Sequence, residues 1–146
     1  MIHDRAAVII IDRDRILLLR RIKKGKEYYV IPGGTIEDDE KLEETAVREI
    51  KEETNLNVEL GDVFCRVNDF MHNGTYFLAK KFSGELMFGG PELQVMNNDN
   101  QYHLEWVHKK DLQKLLLYPE EVKEKIIDYL SKVYKSDAKH YSNFFI

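Results

Sequence analysis

"PGGTIEDDEKLEETAVREIKEETNL", residues 32–56, carries nine acidic residues against three basic ones directly behind a Pro-Gly-Gly step. From Lys41 to Thr54 the pattern is helical, with Leu42, Ala46, Ile50 and Thr54 recurring every four residues. Asp38 or Asp39 is placed to cap the start of this helix, and Asn55 to end it in a left-handed conformation. At about 100° per residue, setting Glu49 at zero places Glu53 at about 40° and Glu52 at about 300°, so three carboxylates share an arc of roughly 100°. Leu42, Ala46, Ile50 and Val47 fall on the adjacent arc and are expected to face the core. Carboxylates at such spacing repel one another, at a cost of a few tenths of a kcal/mol per pair. A purely structural helix gains nothing from that cluster. A hard divalent cation does, because Mg²⁺ and Mn²⁺ take oxygen ligands and bridge them to phosphate oxygens. Geometry alone leaves two readings open, a cation site and a solvated polar face.

The remainder of the chain narrows the setting. Its 146 residues fit one domain, 1–146, and 43% apolar with 33% charged residues describes a globular protein able to bury a core. A net charge of −4 leaves no broad basic surface for a nucleic acid polymer and fits poorly with an anionic membrane. An anionic ligand would therefore need local neutralisation, by Lys and Arg or by a metal ion. Cys65, the single cysteine, has no internal disulfide partner, and the five histidines show no metal-ligand spacing. The apolar N-terminal stretch is broken by Asp12, Arg13 and Asp14, is too short on either side to span a bilayer, and lacks a signal-peptide arrangement. A cytoplasmic location is expected, and a homodimer is compatible with the sequence.

Residues 4–11 and 15–21 read as a hairpin around a charged tip, and Gly25 as the pivot of a second turn. "YYVI" reads as a strand stopped by Pro32, with Gly33 and Gly34 free to turn sharply or to approach a ligand. Two strands follow around "MHNG", then a loop-like "MFGGPELQVMNNDNQ", a strand "YHLEWVH", a short helix "KKDLQKLL" and a longer C-terminal helix over about 119–135 with Pro119 in its first turn. This order predicts an α+β sandwich, a mixed sheet with helices on both sides.

The acidic stretch resembles the Nudix box, the signature of the Nudix hydrolase family (MutT-like). Gly34 is followed after five residues by Glu40 and, after seven more, by Arg48-Glu49-Ile50-Lys51-Glu52-Glu53-Thr54-Asn55-Leu56. Every fixed position of box 34–56 matches except Asn55, which stands where the family has Gly; Asn is the usual substitute in a left-handed conformation. "YYVIPGG" and "LEWV" are similar to the family's flanking strands. Residues 4 to about 130 can be laid on the Nudix α/β/α sandwich with its mixed β-sheet, whereas "KSDAKHYSNFFI" has no assigned counterpart.

The resemblance implies metal-dependent hydrolysis of a nucleoside diphosphate linked to another moiety, with water attacking phosphorus. It implies Glu49, Glu52 and Glu53 as ligands of Mg²⁺ (or Mn²⁺), with the Gly33 carbonyl as a further one. Arg48 would orient a box carboxylate, and Glu40 would support the cluster or a metal-bound water. The general base would be Glu49 or an acid on a downstream loop, for which Asp99 is placed; Asp99 also reads as a plain turn residue. Substrate-selecting motifs of the ADP-ribose, coenzyme A and NADH hydrolases are absent. "LYPEE", residues 117–121, is similar to the purine-contacting segment of oxidised-nucleotide triphosphatases and brings forward Tyr118, Glu120 and Glu121. The same five residues also read as ordinary helix initiation. The rival function is a catalytically inactive Nudix-fold nucleotide-binding or regulatory module. Such proteins typically lose box glutamates, and here all three are present.

Overall fold

The computed structural model describes residues 2–144, with side chains through Val133. In chain order the elements are β1 (His3–Ile9), β2 (Ile11–Asp12), β3 (Arg15–Lys23), β4 (Lys26–Val30), β5 (Gly33–Thr35), α1 (Leu42–Thr54), β6 (Asn57–Asn68), β7 (His72–Ser83), β8 (Asn100–His108), β9 (Leu117–Tyr118) and α2 (Glu120–Phe144). Short 3₁₀ turns occupy Pro91–Val95 and Lys109–Lys114. The fold is α+β, as expected, but it has two mixed sheets where one was expected. One sheet runs β5-β1-β7-β6, with β1 and β7 parallel. The other runs β2-β3-β4-β9, with β8 antiparallel to β3.

The apolar N-terminal run divides between the two sheets at Ile10. The expected hairpin of 4–11 with 15–21 therefore survives only at its tip, where Ile11 pairs with Ile16 and Asp12 with Arg15. β1 itself lies between β5 and β7, so both of its edges are paired. Ala6, Val8 and Ile10 pack with Ala46 and Ile50 of α1, together with Leu56 and Phe77. Ala7 and Ile9 face the other way, into a cluster with Leu18, Tyr76 and the α2 residues Val122, Ile126 and Leu130. Strand alternation thus feeds two cores from one strand.

α1 ends as expected, with Asn55 at φ 66° and its N–H donating to the Lys51 carbonyl. Its start differs. Lys41 occupies the cap position, and the Glu44 carboxylate accepts the Lys41 N–H at 3.1 Å. Asp39 instead adopts φ 64° in the preceding turn, so neither Asp38 nor Asp39 caps the helix. Val47, at the far edge of the apolar arc, is 41% exposed rather than core-facing. α2 begins at Glu120, with the Pro119 carbonyl accepting the Val122 and Lys123 N–H groups, and continues to Phe144 instead of ending near 135. The last two residues of the tail fall outside the described residues. No helix among the described residues is long and apolar enough to cross a membrane.

Candidate active site

Gly33 and Gly34 do not form a sharp turn. They are strand residues of β5, paired with Ala7 and Ala6 of β1, and neither has a positive φ. Their need for glycine is one of space. A Cβ on Gly33 would overlap the Ala6 carbonyl and Ala7, and one on Gly34 would overlap the Glu49 carboxylate. The Pro-Gly-Gly step therefore brings backbone and a box acid into contact at the start of the sheet.

Glu40 and Arg48 anchor the acidic cluster. Arg48 Nε donates to Glu40 Oε2 at 2.6 Å and Nη2 to Glu40 Oε1 at 2.9 Å, a bidentate pair. Glu40 also accepts the Glu37 N–H and the Thr45 hydroxyl. The Arg48 guanidinium is the main cause holding the Glu40 carboxyl down to about 2, with the Glu37 amide next. From the same guanidinium, Nη1 reaches Glu49 Oε1 at 2.9 Å and Glu52 Oε2 at 3.2 Å. The Glu40 carboxylate chiefly raises the pKa of Arg48, keeping it charged.

Glu53 is the exception within this network. It is 5% exposed, and its buried Oε1 has no hydrogen-bond partner. Burial pushes its carboxyl up to about 8, against the opposing charge of Arg5, while Glu92 and Glu49 push it further up and the Gly33 backbone amide holds it back. Burial also raises the Glu49 carboxyl, against the pull of Arg48. Glu52 is the more exposed member, with 46% of its side chain accessible.

The cluster faces a cleft of about 600 Å³ lined by Gly33, Gly34, Glu49, Glu53, Glu92 and Arg5, among others. A second hollow of about 520 Å³ is lined by Val67, Asp69, Tyr118, Pro119, Glu120 and again Arg5. Arg5 and Val30 are common to the two. Of the "LYPEE" residues, Tyr118 and Glu120 line the second hollow, whereas Glu121 is exposed on α2 and lines neither.

Asp99 lies apart from this arrangement. It is an exposed turn residue whose N–H donates to Asn97 Oδ1 and whose carbonyl accepts the Lys24 N–H, and it does not line the cleft. The downstream acid that does is Glu92, which the sequence reading missed. Its loop folds back on the end of α1, where the Gly89 N–H donates to the Glu53 carbonyl at 3.0 Å. Gly90, at φ 93°, and Pro91 then start a 3₁₀ turn with Glu92 in its first turn. Gly-Pro followed by an acid is the available sequence signal, a turn start rather than featureless loop.

Among the described residues, no three His, Cys, Asp or Glu side chains stand converged as a metal cage. Arg48, shared by Glu49 and Glu52, provides the positive charge within the cluster. The donor chemistry nevertheless fits a hard divalent cation. Glu53 presents a buried carboxylate oxygen with no other partner, and Glu49 adds a second half-buried carboxylate beside it.

Comparison with known proteins shows the family. The NUDIX domain family model matches residues 1–130. An uncharacterized Nudix hydrolase of Bacillus subtilis, YvcI, is 28% identical over 123 residues, which cover 82% of this chain and 73% of that protein. The crystal structure of a MutT Nudix hydrolase from Burkholderia pseudomallei superposes with a TM-score of 0.68 at 25% identity, covering 84% of this chain and 95% of that one. An ADP-ribose pyrophosphatase from Streptococcus suis shares the fold at a TM-score of 0.63 and 21% identity, covering 91% and 92%. With Glu49 and Glu53 lining one cleft, Glu40 and Glu52 outside that lining, and a family match spanning most of its length, the chain belongs to the Nudix family and is a hydrolase of phosphorus-containing acid anhydrides.

Proposed function

We propose that this enzyme is a divalent-metal-dependent nucleotide pyrophosphohydrolase, cleaving a nucleoside diphosphate linked to another moiety. The observation that carries the reading is Glu53, a buried carboxylate with a partnerless oxygen beside an acid-lined cleft. Glu49, Glu52 and Glu53, with the Gly33 carbonyl, would hold Mg²⁺ or Mn²⁺. Once bound, the ion neutralises phosphoryl charge and lowers the pKa of water. The chain's own residues do the rest. Arg48, fixed by its bidentate pair with Glu40, orients the Glu49 and Glu52 carboxylates. Water attacks phosphorus, the anhydride P–O bond breaks, and two phosphorylated products leave. The proton of the attacking water passes to a carboxylate, either Glu49 or Glu92. Burial raises the proton affinity of Glu49 against the pull of Arg48, which favours it as a proton acceptor.

The nucleotide base belongs in the second hollow, against the ring of Tyr118 and within reach of Glu120. A small-molecule nucleotide is the partner, rather than a nucleic acid polymer, and the free thiol of Cys65 suits a cytoplasmic location. The test is product release from a panel of nucleoside triphosphates and nucleoside-diphosphate derivatives. Turnover in Mg²⁺ that stops in EDTA supports the reading, and binding of the same panel without turnover would make the protein a nucleotide-binding module instead.

A further inference from the structure

We infer that Arg5 is the substrate-binding residue that grips the phosphoryl group next to the nucleoside, joining the acidic cleft to the base hollow. The inference rests on the reading of a nucleotide substrate. Its starting point is position. Arg5 sits on β1, the strand between β5 and β7, where it is paired with Thr35 on one side and Gly74 on the other. Thr35 lines the acidic cleft, and Gly74 lines the second hollow. A Cβ on Gly74 would crowd the Tyr76 ring, so the glycine makes room for the Tyr76 side chain beside Arg5. Arg5 itself lines both cavities, and it is the one cation the two linings share.

Charge and hydrogen bonding point the same way. The cleft holds Glu37, Glu49, Glu53 and Glu92, with Arg5 and Arg21 as its only basic lining residues. Arg21 is committed elsewhere, stacked on Tyr102 at 3.7 Å and donating to the Gln101 carbonyl and Asn100 Oδ1. Arg48 is bound to the box carboxylates. Arg5 donates through Nη2 to the Ile31 carbonyl at 3.1 Å, and its guanidinium also reaches the Tyr76 hydroxyl. Those two contacts fix the side chain at the junction without exhausting its five donors. A planar fork with donors to spare, beside a carboxylate-lined cleft, is suited to a phosphoryl oxygen pair. A nucleotide spanning both cavities must pass this junction with the phosphoryl group attached to its ribose.

The experiment compares ligands as well as proteins. The full-length chain in EDTA is titrated, by NMR chemical shifts, with adenosine, guanosine and their 5′-monophosphates. The wild type should prefer the monophosphate over its nucleoside. Arg5→Met should reduce that ratio at least about tenfold while leaving the nucleoside Kd unchanged. Arg5→Lys, which keeps the charge but loses the fork, should retain part of the preference, and it serves if the Met variant does not fold. A purely structural Arg5, holding Ile31, would weaken both ligands equally. That outcome, or an unchanged ratio, overturns the inference. If the wild type still hydrolyses nucleotides in Mg²⁺, only the role of Arg5 falls; a wild type that binds neither ligand class and also fails to turn over the nucleotide panel in Mg²⁺ takes the functional reading with it.

Discussion

Replacing Glu53 with Gln should stabilise the metal-free protein, and increasingly so as pH rises. Burial lifts the Glu53 carboxyl from its ordinary 4.5 to about 8. Between those values the unfolded chain has released a proton that the folded chain still holds, so stability falls as pH increases. Each pH unit in that window costs about 1.4 kcal/mol, or roughly 2 kcal/mol by pH 6 and 4–5 kcal/mol by pH 8. For a domain of this length, 1 kcal/mol moves Tm by about 2–4 °C, so the wild type should lose about 10 °C relative to Glu53→Gln between pH 5 and pH 8. Gln is nearly isosteric and carries no charge, so its curve lacks this component. The assay is thermal melting of both proteins in EDTA across that range, repeated with saturating Mg²⁺. The ion should restore the wild type, because it binds only the folded state, and should leave the variant little changed. Parallel Tm–pH curves in EDTA would refute the reasoning, since they would mean that Glu53 ionises in the fold as freely as in water.

Other substitutions test separate parts of the account. Asn55→Gly should change stability by no more than about 0.5 kcal/mol, while Asn55→Val should cost more than about 1 kcal/mol for forcing a β-branched residue into φ 66°. Thermal melts of both variants decide this, and a Val variant as stable as the parent contradicts it. Glu92→Gln should lower kcat at least about tenfold, whereas Asp99→Asn should leave it within about twofold, because only Glu92 lines the cleft. Steady-state kinetics showing the reverse order would return the downstream base to Asp99. Tyr118→Ala should raise KM roughly tenfold and change kcat less, as expected for stacking that is uniform between ground and transition states. A lower Tm with unchanged KM would assign Tyr118 to packing, where it already meets Tyr28 at 5.8 Å.

The box was legible because its information is local. A 3.6-residue period gathers Glu49, Glu52 and Glu53 whatever the rest of the chain does, and Asn55 ends the helix by its own backbone preference. What escaped the sequence depends on distant partners. β1 is apolar on both faces, so its alternation does not reveal that it leaves β2 to join β5 and β7. Gly33 and Gly34 read as free either to turn sharply or to approach closely, because glycine permits both, and only the neighbouring Ala6, Ala7 and Glu49 decide between the two. Asp39 looked like a cap, but the preceding turn uses it at a positive φ and the Glu44 carboxylate takes the cap's N–H instead. Glu92 was passed over for Asp99 because both sit in a Gly- and Asn-rich stretch. The hydrogen bond from Gly89 to the end of α1 is what brings one of them to the cleft. Arg5 carries no motif at all, and its significance arises only from the meeting of two cavities on one strand.

Everything proposed for the hydrolytic site depends on Glu53 acting there as a charged ligand. The most direct measurement is turnover of Glu53→Gln in Mg²⁺ with the best substrate from the nucleotide panel, made on protein whose melt shows it folded. A loss of at least about 100-fold is expected, the scale of metal-assisted charge stabilisation in such a transition state. Near-normal turnover by the folded variant would contradict it.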